Sequence, residues 1–312
     1  MKMGLDCLDS ALIVIAASTD DANQEDAMRF VSFEHQGVAS YGLWQADGLW
    51  RKAPPAFVAQ YPDLKSVIAA GQLDALELAA QASGETVSAS DAHLLPVIPN
   101  PGKIFCVGLN YHTHVAEMKR ADSAYPAIFT RFADTLSAHG APLPTPAATE
   151  RFDFEGELAV IIGKGGRHIA QADAWAHIAG YACFNDATAR DWQRHTHQWT
   201  PGKNFPATGP LGPFMASRAA VGDVNALRLQ TRLNGQVVQD ASLADLIFTL
   251  PVIIEYLSGF TTLSPGDVIA TGTPGGVGDK REPPLYMRAG DVIEVEITQL
   301  GVLRNTVVDA AS

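Results

Sequence analysis

The stretch at 152–169 reads FDFEGELAVIIGKGGRHI, and its two glutamates, Glu155 and Glu157, stand two residues apart at the start of an apolar run. Side chains two apart in a strand leave the same face. Both carboxylates would therefore point together, a costly arrangement unless a cation lies between them. Taken alone, such a pair more often faces solvent from an edge strand. A third acid changes the balance. GYACFND closes another apolar run at Asp186, just before ATARDWQ opens a helical pattern. An N-cap role would account for Asp186 by itself. Two glutamates and an aspartate at strand ends, however, are hard oxygen donors of the kind that hold Mg²⁺ or Mn²⁺ and leave positions for water and substrate.

Proton transfer has its own candidates. In NYHTHVAEM, His114 and Glu117 are three apart, neighbours on one face of a helix. A carboxylate beside an imidazole can orient it as a general base, although a surface His–Glu pair is the commoner case. His112 falls off that face and reads as a bystander. His195 and His197, alternating in the polar RHTHQW, read as solvated rather than metal-ligating. The glycine-rich GTPGGVG has no Lys-Ser/Thr after it, which excludes a phosphate loop. GKGGRH reads as a hairpin turn.

FCVGLNYHTHVAEM, FEGELAVIIGK, GYACFNDATARDWQ, the lysine of PGKNFPATGPLGP and GDVIATGTPGGVG resemble, in that order, the signature blocks of the fumarylacetoacetate hydrolase superfamily. The resemblance implies that Glu155, Glu157 and Asp186 bind one Mg²⁺ (or Mn²⁺) and that His114 and Glu117 form a water-activating dyad. It also implies that Lys203 holds a substrate oxygen or its developing negative charge, and that Gln193 and Thr273 contact substrate. The implied activity is metal-dependent hydrolysis of a C–C bond in a 2,4-dioxo acid such as an acylpyruvate, fumarylpyruvate or fumarylacetoacetate, as in aromatic catabolism. Decarboxylation, isomerisation or hydration of an oxo acid on the same fold is the alternative. A non-catalytic metabolite-binding protein is a remote one. The chain departs from the pattern where Phe129-Thr130-Arg131-Phe132 replaces the Phe-x-Lys-Pro of many relatives. The planar fork of arginine suits a carboxylate, so Arg131 is expected to read a distal acid group of the substrate, with a purely structural role as the equal alternative. The resemblance further implies a homodimer.

These residues need elements to carry them. Residues 29–52 alternate apolar and polar with glycine breaks, a β-meander pattern, and 61–82 has helical spacing. The prolines of PVIPNPGK (96–103) mark a linker. Beyond it, IFCVGLN, PAIFTRF, ELAVIIG, AGYACFND, LRLQTRLNGQVVQD, DVIATGTP and DVIEVEITQLGVLRNTVV are strand candidates, with an Asn-Gly hairpin turn at LNGQ. Helices are expected at 111–120, 171–179, 187–194 and 244–259. Hairpins outnumber βαβ units, so the fold class is α+β: a small N-terminal α/β module (28–98) followed by a mixed, β-rich catalytic domain (99–312).

The charge is net −12, from 22 Lys+Arg against 34 Asp+Glu in 312 residues, which argues against a polyanion-binding surface and against docking on anionic lipid. It leaves an anionic small-molecule substrate open, because a local cation can invert the field. Residues 1–27 hold six acids against Lys2 alone and read as an acidic extension ahead of a domain opening at Met28. Within them, ALIVIAAS lacks a cationic leader and is too short to span a bilayer. Cys7, Cys106 and Cys183 have no metal-like spacing, and the last two sit in apolar runs as small buried hydrophobes. With nothing directing export, the cytoplasm is the expected location.

Overall fold

The alternating pattern after Met28 becomes three antiparallel strands, Arg29–His35, Val38–Trp44 and Leu49–Lys52, in a computed structural model that describes residues 28–45, 48–83, 85–118 and 123–310. The expectation for residues 1–27 lies outside the described residues. The helical run at 61–82 is split in two, Leu64–Ala69 and Leu73–Ser83, around Gly71, whose φ of +66° lies in the left-handed region that a helix cannot continue through.

One large sheet carries both parts of the chain. From one edge its order is Thr86–Ser88, Leu49–Lys52, Val38–Trp44, Arg29–His35, Gly209–Ser217, Ile178–Asn185, Gly156–Ile162, Val268–Ala270, Ile104–Gly108 and Ala127–Arg131. The N-terminal meander joins it through Arg29 opposite Ala216 and Phe30 opposite Met215. The sheet thus runs unbroken across the boundary expected near residue 98. The proline-rich segment there is not a free linker either. Val97 and Ile98 are wholly buried and pack with Leu64 and Val67, because the chain spends their apolar side chains on the core beneath the meander.

The centre of this sheet is covered on both faces. Along Gly156–Ile162, Leu158, Val160 and Ile162 enter one core cluster with Ile253, Ile254 and Leu257, while Ala159 and Ile161 enter the other. That is why ELAVIIG reads as continuously apolar rather than alternating. The covering helix, Leu250–Phe260, starts later than the expected 244, with a proline in its first turn, where a missing N–H leaves no hydrogen bond unmade.

A second, five-stranded sheet has the order Gln236–Ser242, Arg228–Leu233, Val292–Ile297, Gly301–Asp309 and Leu143–Thr145. Its first hairpin turns at Asn234-Gly235, both at positive φ, as the Asn-Gly signal requires. A two-stranded ribbon pairs Phe152–Asp153 with Thr188–Ala189. The helix expected at 187–194 accordingly shrinks to Arg190–Gln193. The one at 111–120 is His112–Glu117, and that at 171–179 is a 3₁₀ segment, Gln171–His177. Cys106 and Cys183 are free and buried. Among the described residues no helix is long and apolar enough to cross a membrane.

Candidate active site

The acids meet because two central strands are antiparallel neighbours. Gly156 lies opposite Asn185, which sets Asp186 beside Glu155. The Asp186 N–H donates to the Glu155 carbonyl at 2.8 Å, and the Asn185 side chain accepts from the Glu155 N–H at 3.0 Å. Glu157 follows on the same face. Each of the three offers one carboxylate oxygen, all within 4.8 Å of one another, and all three residues are buried.

Buried charge has to be compensated, and the compensation is uneven. The Lys203 ammonium, itself buried, lies 2.6 Å from Glu155 and 2.5 Å from Asp186. Arg190 contacts Glu155 at 2.7 Å and Asp153 at 2.8 Å. Arg131 contacts Asp186 at 2.6 Å. Glu157 has no Lys or Arg partner among the described residues, only the Gly272 N–H at 2.8 Å. Burial by itself would raise the Glu155 carboxyl, but Lys203 and Arg190 outweigh it and bring it down to about 2. For Glu157, burial and then the neighbouring Asp186 and Glu155 push the carboxyl well above its ordinary range. The cluster thus contains a carboxylate that the protein's own cations leave unsatisfied, facing two others. With an all-oxygen donor set, that fits a hard divalent cation.

His114 and Glu117 come from the short helix His112–Glu117, too short to persist alone. Tertiary contacts hold it. Thr113 accepts from the Gly275 N–H and Glu117 from the Gly276 N–H, both at 3.1 Å. The other Glu117 oxygen lies 3.3 Å from His114 Nδ1. A proton on Nδ1 facing Glu117 leaves Nε2 as the basic nitrogen.

These groups line one cavity of about 410 Å³, whose wall includes His114, Glu155, Glu157, Gln193, Lys203 and Thr273, with Phe129 and Trp199 on the apolar side. His112 and His195 are exposed, while His197 is exposed at the rim of the cavity. The Thr273 hydroxyl donates to the Gly156 carbonyl at 2.9 Å, so its hydrogen is already engaged.

Arg131 departs from the expected substrate contact. Its side chain is fully buried and all its hydrogen bonds are internal, to Asp186, the Ala187 carbonyl, Thr135 and Thr208. The fork that would suit a substrate carboxylate instead holds a carboxylate of the protein. The structure also adds residues the motif reading passed over. Arg190 lay within the quoted TARD block, and a guanidinium there was the available signal. Asp153 receives Arg190 together with the Gly278 and Asp279 N–H groups, and nothing local to its sequence marked it.

Residues 103–308 match the family described as fumarylacetoacetate (FAA) hydrolase, C-terminal. Among curated proteins, the chain is 42% identical over 224 residues to the oxaloacetate tautomerase YisK of Bacillus subtilis, covering 70% of this chain and 74% of that one. It is 40% identical over 224 residues to the mitochondrial oxaloacetate tautomerase fahd2 of Xenopus laevis, covering 71% and 70%. Among solved structures it resembles a fumarylacetoacetate hydrolase from Exiguobacterium antarcticum, with TM-score 0.79 and 34% identity over 90% of this chain and 99% of that one. It also resembles a maleylpyruvate hydrolase from Sphingobium sp. SYK-6 in complex with manganese(II) and pyruvate, with TM-score 0.76 and 27% identity over 91% and 100%.

Proposed function

Since the chain belongs to the fumarylacetoacetate hydrolase family, an enzyme family, we propose that it is a divalent-metal-dependent enzyme that interconverts the keto and enol forms of an oxaloacetate-like 2-oxo acid. The observation that carries this reading is one cavity lined by His114, Glu155 and Glu157, with Glu117 against His114 and Asp186 beside the two glutamates. The relatives named as oxaloacetate tautomerases support it. Glu155, Glu157 and Asp186 would hold Mg²⁺ or Mn²⁺, which when bound supplies Lewis-acid polarisation of the oxo-acid oxygens.

The chain's own residues do the rest. His114 Nε2 takes a proton from the carbon next to the carbonyl, with Glu117 steadying the imidazolium through Nδ1. The C–H electron pair becomes the C=C bond and the carbonyl pair moves to oxygen. The imidazolium then returns its proton to that oxygen. Nothing is consumed, as an isomerisation requires. Lys203, at the cavity wall between Glu155 and Asp186, pairs with both carboxylates and adds positive potential where the oxygen gains charge. Gln193 and Thr273 border the substrate.

Hydrolysis of a C–C bond in a 2,4-dioxo acid is the second reading. It is favoured by the same dyad, which can activate water, and by the resemblance to the maleylpyruvate hydrolase. A homodimer in the cytoplasm accompanies either. The test follows enol absorbance with oxaloacetate, and pyruvate release with acylpyruvates and maleylpyruvate, in Mg²⁺ and in Mn²⁺. Accelerated enol–keto conversion without pyruvate release is expected. Faster pyruvate release from a dioxo acid would transfer the assignment to hydrolysis, and no turnover of either would sink both.

A further inference from the structure

Gln239 lies in Gln236–Ser242 of the five-stranded sheet, away from every motif. Opposite it the register slips: Thr231 faces Gln239, while the next residue, Arg232, faces Val237. Val238 is thus the extra residue of a β-bulge, and the bulge turns both Val238 and Gln239 inward, where both are buried. The carbonyl of Val238 faces Gly276, where a Cβ would come within 2.3 Å of it, and it accepts from Arg281.

All the bonding groups of the Gln239 amide are engaged. Its oxygen accepts from the Gly156 N–H at 2.9 Å, and its nitrogen donates to Thr273 Oγ1 at 2.7 Å and to the Pro274 carbonyl at 3.0 Å. An N–H on one side and a carbonyl on the other fix which amide atom is which. Thr273 then donates to the Gly156 carbonyl. Both polar groups of Gly156, the residue between Glu155 and Glu157, are therefore held by Gln239, one directly and one through Thr273. Position 156 cannot carry a side chain, since a Cβ would fall 2.1 Å from Thr231 Oγ1.

We infer that Gln239 is a positioning residue of this site: from a different sheet, its amide fixes the peptide linking Glu155 to Glu157 and, through the same nitrogen, the loop that carries Thr273. It does not line the cavity. Its effect is the convergence of two carboxylates that repel each other, which a freer Gly156 peptide would let diverge. The inference rests on the cluster's being a cation site. Glutamate at 239 would keep the acceptor for Gly156 and lose both donors. Leucine would keep the volume and lose all three hydrogen bonds.

The test measures Mn²⁺ affinity by electron paramagnetic resonance, without substrate, alongside thermal unfolding in chelator. The proteins are the unsubstituted chain, Gln239→Leu, Gln239→Glu and Val238→Ala, the last a buried neighbour whose loss destabilises without touching Gly156. Gln239→Leu should bind Mn²⁺ at least tenfold more weakly and Gln239→Glu should fall between it and the unsubstituted chain. Val238→Ala should keep its affinity despite a lower melting temperature. Equal Mn²⁺ affinity in Gln239→Leu and Val238→Ala would overturn the positioning role. Should Gln239→Leu not fold, unchanged affinity in Gln239→Glu would do so. Failure of the unsubstituted chain to bind Mn²⁺ would instead overturn the reading of the cluster, and the positioning role with it.

Discussion

The two halves of the site are built to different specifications. The carboxylates stand on central strands covered on both faces, with Lys203, Arg190, Arg131 and Gln239 fixing them from four directions. The His114–Glu117 pair stands on a six-residue helix with no side-chain N-cap, attached through two backbone N–H groups of the glycine loop and two buried residues, His114 and Val115. The first half needs this restraint, since repelling charges do not converge unaided. The second half bears little charge conflict and needs little restraint. A six-residue helix with two buried residues lies nearer the low end of local stability than a central strand.

The contrast is broken most severely at the carboxylates, and the two most informative substitutions there should diverge in stability. Asp186→Asn and Glu157→Gln should each abolish Mn²⁺ binding and turnover. Asp186→Asn also leaves Arg131 and Lys203 short of a buried counter-charge and should cost about 3–5 kcal/mol in chelator-treated protein. Glu157→Gln removes a carboxylate without a cationic partner and should leave the melting temperature unchanged or raise it. Denaturation of the two variants in chelator checks this. A large loss in Glu157→Gln would show that the uneven compensation has been misread.

Next in size, His114→Ala should lower kcat by about 10²–10⁴-fold, the usual range for a lost general base, while Mn²⁺ affinity stays as it was. Loss of metal affinity in that variant would erase the distinction between the halves.

The pH dependence of metal-free stability should also separate the two glutamates. Glu157 is raised above its ordinary value, so it binds a proton more tightly folded than unfolded. Its contribution is fully present below about pH 4.5 and is lost as pH rises through its folded value. Glu155, lowered to about 2, contributes above its ordinary value and loses that contribution as pH falls toward 2. Chelated protein should therefore lose stability on going from pH 5 upward, and Glu157→Gln should flatten that slope. An unchanged slope in the variant would assign the effect to other groups. The smallest effect is expected from Thr113→Val, about 0.5–1.5 kcal/mol for one hydrogen bond. It should be seen as faster amide exchange in His112–Glu117 with none around Glu155.

Much of this arrangement is legible along the chain. The E-x-E spacing, the strand end at Asp186 and the i,i+3 relation of His114 and Glu117 are local patterns, and the structure brings those five residues to one cavity wall or its immediate backing. Lys203 acquires meaning only from its place among the family blocks, because a loop lysine has no periodicity to interpret. Arg131 stayed open between a substrate contact and a structural role for a related reason. A guanidinium pairs as well with a protein carboxylate as with a substrate one, and its sequence neighbours do not say which is nearer. Proline spacing at 96–103 reports backbone direction, whereas the burial of Val97 and Ile98 depends on what lies beneath them.

Sequence by itself determined the donor types, the apolar strands that carry them and the α+β class, since these follow from residue chemistry and from periods of two and 3.6. Tertiary structure alone decided which charges are compensated and which is not. It placed Arg131 on Asp186, 55 residues away, and Gln239 on Gly156, 83 away. Electrostatics and hydrogen bonding act over a few ångströms of space whatever the separation along the chain. The −12 of the whole molecule therefore says little about a site where Glu157 has no Lys or Arg partner among the described residues.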